Sequence, residues 1–109
     1  MDGMELICFQ IIAASGGAKS AFIAATEAAA EGNFDKAEEL MKQGEEYMNQ
    51  GHEPHAKLIQ QEAAGEPAPT SLLLIHAEDQ MMGAEQFKAL AEQTINLYRR
   101  VAKLEKESA

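Results

Sequence analysis

Small and apolar residues recur at three- and four-residue steps along three stretches of this chain, a spacing that stacks them on one side of a helix. In the first stretch the stripe is Met4, Ile7, Ile11, Ala14, Ala18, Ala21, Phe22, Ala25 and Ala29. Asp2 can cap its start, with Glu5 completing a box-like pattern, and Gly32 suits the left-handed position that ends such a helix. Asn33 then suits the N-cap of the next helix. The second stripe, Phe34, Ala37, Met41, Gly44, Met48, Gly51, His55 and Leu58, contains small residues that let a neighbouring helix approach closely. Pro54 interrupts it. A proline inside a helix removes a hydrogen bond and clashes with the carbonyl four residues back, so the pattern predicts a bend near Gln50 to Pro54 or a break there. The loop GEPAPTS leads to a third helix, capped by Thr70 or Ser71 and running to about Lys103.

The third helix carries more apolar surface than one contact face needs. Leu73, His76, Ala84, Phe87, Ala91, Ile95, Tyr98 and Val101 form a line that can face the two other helices. A second line, Leu72, Ile75, Asp79, Met82, Leu90 and Leu97, is also largely apolar. Three long helices joined by short loops predict an all-α fold, an antiparallel up-down-up three-helix bundle. Such a monomer buries one stripe per helix, so the second strip predicts self-association.

Composition narrows the class. A chain of 109 residues with 46% hydrophobic content can form one domain, taken as residues 1–109, with a core that needs no staples. Its 18 acidic against 9 basic side chains, a formal charge of −9, oppose nucleic-acid binding and favour partners with basic patches. The single cysteine, Cys8, cannot form an internal disulfide and sits among Leu6, Ile7, Phe9 and Ile11 like a small core residue, which fits a reducing, intracellular setting. No apolar run approaches the roughly 20 residues of a membrane span, and the N-terminus lacks the basic start of a signal peptide. The expectation is a cytoplasmic protein without membrane insertion.

The chemistry concentrates in LLLIHAEDQMM, residues 72–82, where His76, Glu78, Asp79 and Gln80 interrupt the most apolar run. On a helix His76 and Asp79 lie three residues apart, His76 and Gln80 four, so each pair shares a surface. A neutral imidazole has a lone pair that can attack phosphorus or bind a metal; equally, its nitrogens can be satisfied by neighbours at a core or rim position. Aspartate on an apolar strip costs stability unless paired, protonated or bound to a cation. If self-association multiplies Asp79 about an axis, the clustered carboxylates can recruit a hard divalent ion, or they can act as register-setting polar residues without one.

The same segment resembles the active-site helix of the lactose/cellobiose-type enzyme IIA of the bacterial phosphoenolpyruvate-dependent sugar phosphotransferase system, which usually reads like HAQDHLM. IIAASGGAKSAFIAATEAAAEGNFDKAEEL resembles that family's first helix and turn, and HAKLIQQEAAGE the end of its second; the likeness spans about residues 5 to 100. It implies a homotrimer of antiparallel three-helix subunits. It further implies that His76 is phosphorylated by the histidine phosphocarrier protein and passes the group to a cysteine of enzyme IIB, which phosphorylates the incoming sugar. Asp79 matches the family acid near the threefold axis, associated there with a divalent metal such as magnesium. A non-catalytic trimeric interaction or regulatory protein is the alternative.

Some positions depart from the family pattern. Gln80 stands where many relatives have a second histidine, and Gly17 and Lys19 where the family often shows Asp and Arg. His52 matches the histidine of the family's A-H-x-x-Q-T on helix two, but the Gln-Thr pair is absent. His52 is taken as a supporting residue near the active site of a neighbouring subunit, His55 as a packed interface residue; H-x-x-H beside a proline lacks a third metal ligand. No glycine-rich phosphate loop is present, so no nucleotide is expected. The carrier needs an accessible imidazole whose other nitrogen is held; a carbonyl or amide oxygen can do that, and Gln80 is one candidate partner, with its contact left open. Leu73, Met81 and Met82 around His76 would suit docking, with Met82 read as core. Glu38, Glu39, Glu45 and Glu46 read as a solvated face, and Arg99, Arg100, Lys103 and Lys106 suit the negative end of helix three.

Overall fold

The computed structural model describes residues 3–109 and contains three α-helices: α1 (Gly3–Ala30), α2 (Phe34–Ala63) and α3 (Leu72–Ser108). The expected Asp2 cap lies outside the described residues. The predicted turn chemistry is present. Gly32 takes φ +82°, with its N–H bonded to the Ala29 carbonyl and that of Asn33 to Ala28, the two bonds of a Schellman ending. Asn33 caps α2 by accepting from the Lys36 N–H at 3.2 Å. The end of α2 repeats the device: Gly65 at φ +85° donates to Glu62, and Glu66 donates to Gln61. Ser71, rather than Thr70, caps α3 through the Leu74 N–H at 3.1 Å, and the helix continues five residues past Lys103.

Packing establishes the up-down-up order. Cys8 and Ile11 of α1 cluster with Leu58 of α2 and with Ala77 and Met81 of α3. Ala18 and Phe22 meet Ala84 and Ala91 further along, and Ala25, Ala28 and Ala29 meet Ala37 and Ile95 at the far end. Numbering rises together on α1 and α3 and falls on α2. The small residues allow close approach: a Cβ on Gly44 would lie 2.2 Å from the Phe22 ring, one on Gly17 2.8 Å from the Tyr47 ring, and one on Gly51 3.3 Å from the Ala14 methyl. Bare backbone is therefore the seat for an aromatic ring in both directions across the α1–α2 seam.

Four expectations change. Of the bend or break expected at Pro54, the break is absent, and α2 runs unbroken from Phe34 to Ala63. Gly51 and Leu58, buried on either side of it, hold both halves against α1. The core stripe of α3 is Ala77, Met81, Ala84, Ala91 and Ile95, so His76 is exposed rather than core-facing, and Phe87 and Val101 also stay exposed. Met81 and Met82 exchange their expected places, at 7% and 55% exposure, because α3 presents Met81 to α1 one turn after Ala77. Finally, α1 is by length and composition apolar enough to cross a membrane, its charges being Glu5, Lys19 and Glu27 alone. In the bundle its apolar stripe, from Cys8 to Ala29, is buried.

Candidate functional site

Ser71 starts α3 at a fixed residue, and burial of Ala77 and Met81 fixes its rotation. His76 and Asp79 consequently project on the outer side, both exposed. Around them runs the second apolar line, and every large residue of it is open in the subunit: Leu72 at 82% exposure, with Ile75, Met82, Leu90 and Leu97 all above half. Asp79 lies in this strip between Ile75 and Met82. Among the described residues neither the His76 ring nor the Asp79 carboxylate makes a side-chain hydrogen bond or an ion pair.

Gln80 is engaged elsewhere. Lys19, carried by α1, donates from Nζ to Gln80 Oε1 at 2.9 Å. An ammonium has donors only, so the carboxamide must turn its oxygen to Lys19 and its NH2 away. Among the described residues no hydrogen bond joins Gln80 to the His76 ring. The Lys19 ammonium also sits 5.9 Å from the Phe87 ring centroid and lies over bare backbone at Gly83, where a Cβ would be 3.1 Å from Nζ.

The other two histidines look across to α3. His52 Nε2 is 3.1 Å from Glu85 Oε1, and His55 Nε2 pairs with Glu78. His55 is mostly buried in that contact, and His52 is half-exposed. No group of three His, Cys, Asp or Glu side chains gathers to hold a metal among the described residues. One exposed carboxylate on an otherwise apolar strip fits a divalent ion only if further copies bring their own Asp79 to it.

The sequence model of the family described as "PTS system, Lactose/Cellobiose specific IIA subunit" matches residues 6–99. The chain belongs to the lactose/cellobiose-specific IIA family. Relatives include the oligo-beta-mannoside-specific EIIA component of Bacillus subtilis (strain 168), 38% identical over 87% of this chain and 86% of that protein. The lactose-specific EIIA component of Staphylococcus epidermidis is 35% identical over 91% of this chain and 95% of its own. A crystal structure of the cellobiose-specific enzyme IIA from Bacillus anthracis superposes with a TM-score of 0.92 at 40% identity, covering 94% of each chain. This IIA chain is thus a component of a sugar phosphotransferase system, and its three helices are those of the family.

Sequence reasoning about this IIA chain did not connect Lys19 with Gln80. A signal for it existed in Gly83, an exception in the interior of a long helix where glycine costs up to about 1 kcal/mol relative to alanine. It needed the α1–α3 register to be interpreted.

Proposed function

We propose that this IIA subunit carries phosphoryl groups on His76, taking them from the histidine phosphocarrier protein and passing them to a cysteine of enzyme IIB, as a cytoplasmic homotrimer. The observation that carries the reading is the exposed His76 imidazole, without a side-chain partner, on a capped and core-anchored helix of a phosphotransferase-system fold. In the first step a neutral ring nitrogen attacks the donor's phosphorus, forming N–P as the donor's N–P bond breaks and its imidazole keeps the electron pair. In the second a cysteine thiolate attacks, S–P forms, and the His76 nitrogen regains its pair. The donor supplies an activated group, so the acceptor has only to position a nucleophile.

The exposed strip from Leu72 to Leu97 supports self-association, since apolar surface of that extent favours cover. In a trimer with α3 facing the axis, three Asp79 carboxylates would supply hard oxygen ligands to a divalent ion such as magnesium, which would neutralise their mutual repulsion.

Incubation with phosphoenolpyruvate, enzyme I and the phosphocarrier should place acid-labile phosphate on the chain, and His76→Gln should abolish it; label that survives the substitution refutes the assignment. Asp79→Leu should keep or strengthen the trimer by exchanging clustered carboxylates for apolar packing. Sedimentation showing that variant as a monomer with and without metal would remove Asp79 from the axis.

A further inference from the structure

Lys19 is conspicuous among the cations of this chain. Of the two partly buried cations, Lys88 pairs with Glu45, but Lys19 has no carboxylate partner among the described residues. It is partly buried, held by a neutral amide oxygen at 2.9 Å, and accommodated by the missing side chain of Gly83. Keeping an ammonium partly desolvated without a counter-charge costs stability, and so does glycine in mid-helix. Both costs fall beside Gln80, one helical turn from His76, where Cβ atoms four residues apart are about 5–6 Å from each other.

We infer that Lys19 is a positioning residue for phosphoryl transfer, orienting the Gln80 carboxamide and supplying positive charge to the phosphorylated state of His76. The inference rests on the assignment of the phosphoryl group to His76. Because the ammonium takes the Gln80 oxygen, the amide NH2 is left without a partner among the described residues and can serve only as a donor. A donor one turn away is of little use to a ring nitrogen that must keep its lone pair for attack. It suits a phosphoryl group, which brings two negative charges and acceptor oxygens. Lys19 thereby ties α1 to the chemistry on α3: its charge opposes that of the incoming phosphoryl group, and its hydrogen bond prevents the amide from flipping. No bond to phosphorus is made by either residue.

The experiment compares the wild-type chain with Lys19→Met, Lys19→Arg and Gln80→Met in transfer from the phosphorylated phosphocarrier. Lys19→Met should lower kcat roughly tenfold, the scale of one charge-assisted hydrogen bond, with KM for the phosphocarrier and helix content unchanged. Lys19→Arg keeps charge and donors and should restore most of the rate. Gln80→Met should slow transfer as well, and the double variant should be less impaired than the product of the two single losses, as expected of residues acting together. Equal rates for wild type and Lys19→Met overturn the inference, as do equal losses for Met and Arg, or losses at positions 19 and 80 that simply multiply. Should Lys19→Met fold poorly, Gln80→Met and Lys19→Arg decide the matter alone. A wild-type chain that takes no phosphate on His76 overturns the functional reading itself, and this inference with it.

Discussion

The two seams of α2 are built on opposite principles. Toward α1 the contact is made by bare backbone and rings: Phe22 seated on Gly44, Tyr47 on Gly17, Gly51 against Ala14. Toward α3 it carries a ladder of polar pairs, His55 with Glu78, His52 with Glu85, Glu45 with Lys88 and Glu38 with Arg99. Numbers fall on one helix as they rise on the other, so the ladder records the antiparallel register. Glu38 and Glu45 stay exposed, as a solvated face requires, while also pairing with cations of α3. The ladder's members are mostly exposed, and exposed pairs contribute about 0–1 kcal/mol each. Stability therefore resides at the α1 seam, while the α2–α3 edge mainly selects register.

Substitutions can break that contrast. Phe22→Ala empties a fully buried site and should cost about 3–5 kcal/mol in denaturant unfolding, the largest effect expected at either seam. Gly44→Ala should cost about 1–3 kcal/mol in spite of its better helix propensity. The ring it would strike is itself fully buried and has little room to yield. Recovery in the double variant with Phe22→Leu would tie the loss to that ring. On the other seam Arg99→Ala should cost about 1 kcal/mol, because its guanidinium also lies 4.7 Å from the Phe34 ring centroid. Lys88→Ala, which gives up an ion pair alone, should fall below that. A ladder substitution costing as much as Phe22→Ala would invert the assignment of stability to the α1 seam.

A similar contrast divides α3. Ala77, Met81, Ala84, Ala91 and Ile95 form its inner face and explain themselves as packing. Leu72, Ile75, Met82, Leu90 and Leu97 are apolar and open, which a lone subunit does not explain. His76 and Asp79 belong to the outer side. That is the property a carrier needs, since a nucleophile sealed in the core would be unreachable by a docking protein.

Much of this was readable in the residue order. Gly32, Asn33 and Ser71 are local signals, set by left-handed backbone geometry and by side chains that cap their own helix, and they fell where expected. The outer strip of α3 was also legible, because helical period alone separates two lines of residues. Period does not say which line faces inward over 37 residues, and a small error in phase put His76 and Phe87 on the inner line and exchanged Met81 with Met82. At Pro54 the helix stays continuous, with packing on both sides of the proline.

Local order along the chain thus settled three helices, their ends, and the presence of a histidine and an acid on one short segment, since each depends on residues within a few positions of one another. Tertiary structure alone decided which turn of α1 meets which turn of α3. That register brings Lys19 to Gln80 over Gly83, 61 residues apart for the hydrogen-bonded pair. Contacts of such separation are selected by packing of whole helices, whose relative slide no single residue's preference specifies.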